Sequence, residues 1–257
     1  DGWTAQDYRV VPGDPVGESM TFLEDPEAAL KSYWETGYWV EPNVMTQMLS
    51  VIIASHVSTF PSFKDRTFAP LMQPHKTNEA FRFMMRLPTI VDIMEHLCGG
   101  PISGLQSVYY FGAPGTPGFT MRQDNAFVEA PPDAFASAWI ALRDVTPEMG
   151  GLIGYPGTHQ GPILPIVTVE NPECSDSQDP NANAQELALP EGYEPVELFV
   201  PMGAVLFMHS HFVHKSTKNL TDKFRGALVL TYIRKGEPFR LGFTAKREEV
   251  DVYDHVH

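Results

Sequence analysis

From Leu105 onward the chain breaks into short apolar segments separated by Gly and Pro: LQSVYYFG, FTMRQDNAFV, ASAWIALRDV, GLIGYPG, VELFVP, AVLFMHS and RGALVLTYI. Segments of this length, rich in β-branched and aromatic residues and bounded by turn formers, read as strands rather than helices. Several short strands at close intervals predict a β-sandwich or jelly roll. No internal repeat replaces that reading.

The preceding third has a helical texture. Pro26 suits the first turn of EAALKSYWETG, and Gly37 stops it. After an extended YWVEP, the run NVMTQMLSVIIASHV predicts a second helix, with Asn43 as N-cap and Met45, Met48, Leu49 and Ile52 on one face. Asn78 to Cys98 predicts a third, bent at Pro88 and closed by Gly99 and Gly100. The fold class is therefore mainly β with flanking α-helices, in one domain over residues 1–257. Its helical part covers about 26–98 and its jelly-roll core about 105–235. The stretch from about 165 to 195 is an acidic insertion rich in Asn, Ser, Asp and Pro, suited to a lid or to a plain surface loop.

Composition narrows the partners. With 43% hydrophobic and 19% charged residues the chain can bury a full core. A formal net charge of −14 argues against nucleic acid and against an anionic membrane surface. No apolar run approaches the roughly 20 residues of a spanning helix. Two cysteines, Cys98 and Cys174, lack metal or redox spacing. They suit a reducing compartment, and the expected location is the cytoplasm.

Two stretches carry chemistry. MRQDNAF holds Asp124 two positions after Arg122, and HKSTKNLTDKFRGALVLTYI holds His214, Ser216, Asn219 and Arg225. On a strand, residues i and i+2 share a face, so a His-x-Asp pair delivers two ligands to one metal. A second histidine from a distant strand completes a facial triad with three open positions. An arginine on a neighbouring strand can grip a carboxylate with two parallel hydrogen bonds.

In order and separation, GAPGTPGFTMRQDNAF, SAWIALRDVTPEMGGLIGYPGTH and HKSTKN followed by Arg225 resemble the phytanoyl-CoA dioxygenase family, from about Trp39 to Ile233. The resemblance implies a double-stranded β-helix (a cupin-like jelly roll). It implies an Fe(II)- and 2-oxoglutarate-dependent dioxygenase that oxidises, most often hydroxylates, a small molecule with dioxygen. It makes Asp124 and His214 the iron ligands and gives the distal carboxylate of 2-oxoglutarate to Arg225 with Ser216. Trp139 and Gln106 would line the co-substrate and substrate pocket, and Thr158, beside His159, would occupy the turn where the family has Ser-His.

One position departs from the family. Arg122 stands where the first histidine ligand belongs, and a guanidinium, always protonated, cannot ligate iron. The expectation is an ion pair between Arg122 and Asp124 in the metal's place. That opens an alternative: a silent paralogue acting as a binding or partner subunit, alone or in a homo- or hetero-oligomer. His209 and His211 are weaker candidates for a replacement ligand. The other histidines read as packing or surface residues, and Arg143 as a solvent-facing strand end. Few basic residues adjoin the motifs, which favours a small neutral or zwitterionic substrate over a bulky polyanion.

Overall fold

The computed structural model describes residues 20–45, 70–168, 185–243 and 245–253. Helix α1 (Pro26–Thr36) starts where the Asp25 side chain accepts a hydrogen bond from the amide of Ala28. It stops at Gly37, whose φ of 92° lies in the left-handed region that glycine enters without strain. The expected third helix is two: α2 (Glu79–Met85), capped by Asn78, and α3 (Pro88–Cys98). Proline at position 88 removes the amide that would continue α2, so the chain restarts rather than bends. Asn43 sits in a turn at φ 55°. The helix expected beyond Met45 lies outside the described residues. A short α4 (Asn125–Val128) is the last α-helix among the described residues.

Among the described residues eleven strands follow the chain: β1 (Tyr38–Glu41), β2 (Leu71–Met72), β3 (Ile102–Gly112), β4 (Phe135–Ala141), β5 (Leu152–Tyr155), β6 (Ile166–Thr168), β7 (Gln185–Leu187), β8 (Val196–Leu198), β9 (Val205–His209), β10 (Val213–Ser216) and β11 (Arg225–Arg234). They form a six-stranded sheet in the order β1-β9-β4-β11-β3-β2, a three-stranded sheet β10-β5-β8, and a ribbon β6-β7. Every named pairing is antiparallel. Two facing antiparallel sheets with crossed strand order make the jelly roll expected from the strand pattern.

The period of two divides the large sheet cleanly. Ala138, Ile140, Phe207, Leu228, Leu230 and Tyr232 pack with Ile90, Ile93, Met94 and Leu97 of α3. Each large side chain so buried contributes roughly 1.5–3 kcal/mol. The alternate residues Trp139, Ala141, Leu206, Met208 and Ala227 face inward and meet Leu152, Leu198 and Phe212 from the small-sheet side. The same parity splits the adjacent tyrosines of β3. Tyr109 packs edge-on to Phe81 on the helical side, whereas Tyr110 meets Phe119 inside. The inward face is apolar at one end and carries Gln106, Ser137 and Thr231, paired across β3, β11 and β4, towards the other. That polar row positions the site.

Among the described residues no helix is long and apolar enough to cross a membrane. Cys98 is a buried free thiol, and burial pushes its pKa up to about 12. It is a core residue.

Candidate active site

Arg122 and His214 meet as backbone partners: the amide of each donates to the carbonyl of the other, at 2.9 and 3.1 Å. The strand expected through FTMRQDNAFV ends there. Asp124 is already in helical conformation, φ −60° and ψ −33°, at the start of α4. Arg122 and Asp124 therefore do not share a strand face. Gln123 and Asn125, both buried, hold this bend. Gln123 donates to the carbonyl of His211 at 2.7 Å and accepts from the amide of Leu164. Asn125 exchanges hydrogen bonds with the backbone of Ala130. Their amide side chains read simply as motif spacers in the sequence, yet they set where Asp124 points.

The carboxylate and the imidazole converge. Asp124 Oδ1 lies 3.7 Å from His214 Nε2, longer than a hydrogen bond and short enough for one ion to touch both atoms. Each has its remaining polar atom tied back. Ser137 donates to Asp124 Oδ2 at 2.6 Å. His214 Nδ1 lies 3.1 Å from the carbonyl of Phe212, which assigns the proton to Nδ1 and leaves the Nε2 lone pair facing Asp124. Burial lowers the His214 pKa most; Asp124 opposes the shift and Arg122 adds to it. The imidazole is neutral, so the pair is not a salt bridge. Among the described residues no group of three or more His, Cys, Asp or Glu is placed to hold a metal. Asp124 and His214 suit an ion held by two side chains.

Arg122 does not pair with Asp124, contrary to the expectation above. Its guanidinium carbon sits 4.1 Å from the centroid of the Phe119 ring. Stacking on an aromatic face satisfies a cation without a carboxylate, although Arg122 and Asp124 line the same two cavities.

Two cavities open from this point, and Tyr110, Arg122, Asp124 and Val229 line both. The smaller, about 70 Å³, also takes in Trp139, His214, Ser216 and Arg225. Arg225 is buried; its Nη1 donates to the carbonyl of Gly150 at 2.6 Å while Nε has no partner. Burial lowers its pKa to about 10, with Arg122 adding to the fall and Tyr110 opposing it, so it is charged at neutral pH. Ser216 Oγ accepts from the amide of Phe119 at 2.8 Å. The larger cavity, about 520 Å³, is walled by Gln106 and Thr231 of the polar row, by Phe127 and Phe135, and by Arg240 and Arg247 beyond β11.

The remaining expected site residues fall elsewhere. Thr158 lines neither cavity. Its hydroxyl donates to the carbonyl of Tyr155 and accepts from the amide of Val213, bracing the turn before β10. His209 and His211 also lie off the cavities, His209 near Asp133 at 3.2 Å and His211 on the carbonyl of Gly161. His159 packs on His209 and contacts the carbonyl of Trp34. Arg143 is buried, not solvent-facing, because its Nη1 reaches the carbonyl of Phe224 at 2.6 Å, just ahead of β11. The described ends of the acidic insertion form the β6-β7 ribbon, which lines neither cavity. The expected scarcity of basic residues is also overturned, since the fold returns Arg240 and Arg247 to the pocket wall.

Known proteins resemble this chain in sequence and in fold. Phytanoyl-CoA dioxygenase of Arabidopsis thaliana is 30% identical over 128 residues, 49% of this chain and 42% of that protein. The peroxisomal enzyme of Rattus norvegicus is 28% identical over 202 residues, 75% and 56% of the two chains. The chain thus spans less than two thirds of the length of these relatives. The non-haem α-ketoglutarate-dependent carbocyclase SnoK from nogalamycin biosynthesis superposes with a TM-score of 0.72 at 23% identity, over 88% of this chain and 91% of that one. The family model for phytanoyl-CoA dioxygenase (PhyH) matches residues 56–227, a segment containing Asp124, His214 and Arg225. On that match, the chain belongs to the phytanoyl-CoA dioxygenase family.

Proposed function

We propose that this chain is an Fe(II)- and 2-oxoglutarate-dependent dioxygenase acting on a small molecule. One observation carries the reading: Asp124 Oδ1 and His214 Nε2 converge at 3.7 Å beside a cavity that also holds the buried, partly unpaired Arg225. Iron bound there supplies the activation of dioxygen; the chain supplies position and exclusion of water.

Asp124 and His214 hold the ion, each oriented by a fixed hydrogen bond, from Ser137 and to Phe212. Arg225 takes the distal carboxylate of 2-oxoglutarate, with Nε as a free donor and Ser216 beside it. Trp139 closes the wall. The larger cavity would take the substrate, because it shares Asp124 and Arg122 with the cavity whose residues would hold the ion. Arg122 contributes no ligand. Because it rests on Phe119, it leaves Asp124 available, which favours a working site over a silent one.

The test is anaerobic titration of chelator-treated protein with Fe(II) and then 2-oxoglutarate, followed by succinate measurement in air. Iron binding that is lost in Asp124→Asn and His214→Gln supports the assignment. Binding that survives both substitutions would place the ion elsewhere.

A further inference from the structure

The arginines divide by whether they hold a carboxylate. Arg82 pairs with Glu79, Arg234 with Glu237, and Arg240 with Glu129. Arg122, Arg225 and Arg247 form no ion pair among the described residues, and all three line the cavities. Arg225 and Arg122 belong to the oxo-acid side. Arg247 has no role in that chemistry, lies outside the segment matched by the family model, and is only 8% exposed.

A buried guanidinium with no ion pair, here balanced only by Asp124 acting through space across the cavity that both line, is costly unless its donors are met. Here they are met on two edges. Arg247 Nε donates to Gln106 Oε1 at 2.7 Å, and Nη1 donates to the carbonyls of Phe127 and Arg240 at 3.0 and 3.1 Å. These partners are neutral, and Nη2 has no hydrogen bond among the described residues. The site is built for this side chain: a Cβ on Gly242, at φ 73°, would come within 2.7 Å of Nη1. The rest of the wall includes Val108, Phe127, Val128, Phe135 and Val229.

We infer that Arg247, held by Gln106, is the anion-recognition site of the larger cavity, and that the substrate is a small organic acid with an apolar body and one carboxylate. This rests on reading that cavity as the substrate site. Arg240, on the same wall, is already paired with Glu129 and Arg122 rests on Phe119, so one uncommitted guanidinium remains there, which in a chain of net charge −14 suits a monoanion better than a polyanion. Docking the carboxylate at Arg247 directs the apolar part along the sheet face towards Asp124, and the body of the molecule replaces water against the aromatic and branched walls.

The experiment uses the chelator-treated full chain, so that it does not depend on iron, and a matched pair of probes, 3-phenylpropanoate and its neutral amide, by calorimetry. The acid is expected to bind at least about tenfold tighter, the scale of one charge-assisted hydrogen bond. Arg247→Gln should erase the preference by weakening the acid alone. Because Arg247 also ties down the tail, Gln106→Glu provides the second variant. It keeps the arginine in place, gives it an internal carboxylate, and should erase the preference equally. The preference should persist in Arg225→Gln, which separates this site from the oxo-acid cavity. Equal affinity for the two probes, failure of the acid to bind, or a preference that survives both Arg247→Gln and Gln106→Glu overturns the inference. Loss of the preference in Arg225→Gln overturns it too. Iron titration that fails while the preference holds would instead sink the oxygenase reading and leave the anion site standing.

Discussion

The two cavities share a wall but are built differently. The smaller one draws its lining from residues 110–229, largely within the segment matched by the family model. Its polar groups are fixed by strand ends: His214 on β10, Arg225 opening β11, and Asp124 at the bend that follows the Arg122–His214 bridge. The larger cavity combines the inward face of β3 and β11 with Pro70, Met72 and, from beyond β11, Arg240, Gly242, Phe243, Ala245 and Arg247. On the proposed reading, reaction chemistry sits where hydrogen-bonded strands leave little freedom, and selection of the substrate sits where a non-strand segment folds back and side chains can change without disturbing the sheets.

The sharpest way to break this division is Arg225→Ala. If the smaller cavity is the oxo-acid site, 2-oxoglutarate affinity should fall by about a hundredfold or more, the scale of a lost bidentate, charge-assisted contact. Acid-over-amide preference in the larger cavity should stay. Calorimetry on the folded variant decides it, and unchanged oxo-acid affinity would mean that Arg225 serves the fold alone.

Acid provides the next largest effect. His209 ends β9 just ahead of the turn into β10; its Nδ1 accepts from the amide of His211 and its Nε2 faces Asp133. Burial, opposed by Asp133 and reinforced by His159 and His211, lowers its pKa to about 4. The folded state therefore binds the proton more weakly than the unfolded chain, whose histidine titrates near 6.5. Stability from this group is complete above about pH 6.5 and is lost as pH falls through about 4, by up to roughly 3 kcal/mol. Protonating Nδ1 removes the acceptor for His211 and loosens the turn that delivers His214. Thermal melts between pH 7 and pH 4 should show the loss, and His209→Gln should flatten it. An identical slope in the variant would assign the acid sensitivity elsewhere.

Arg122→His comes third. An imidazole at this position offers a third ligand and removes a cation from beside a dication, so Fe(II) should bind on the order of ten- to a hundredfold tighter, with more succinate formed. Tight binding by the unmodified chain with no gain from histidine would show that another group completes the coordination.

The positions proposed to carry chemistry are readable in the sequence because each lies inside a strand-and-turn pattern of short range. His214 follows one apolar run and Arg225 opens another, and Asp124 follows a Gly- and Pro-rich approach. The Arg122–Asp124 pair failed as an expectation because the period-two rule was carried across a bend that Gln123 and Asn125 impose through contacts with His211, Leu164 and Ala130. Thr158 matched a motif, but its hydroxyl serves the backbone. Arg247 carried no local signal at all. Its place depends on a tail reaching back to Gln106, 141 positions away in sequence. Distances of that kind come from packing, not from any pattern along the chain.

The smallest expected effect tests the seam between the cavities. Ser137 lies on the inward face of β4, paired with Thr231 of β11 and Met208 of β9, and its hydroxyl holds Asp124 Oδ2. The register of three strands thus aims the carboxylate. Ser137→Ala keeps the β-strand and its small volume but releases that oxygen, so Asp124 can rotate away from His214. Metal affinity should drop by about tenfold or less, the lower range for a group that orients a ligand. Oxo-acid affinity measured at saturating metal should hold, because Arg225 is untouched. A drop as large as that of Asp124→Asn would mean that Ser137 itself contacts the ion. No drop would mean that the bend held by Gln123 and Asn125 is enough to aim the carboxylate.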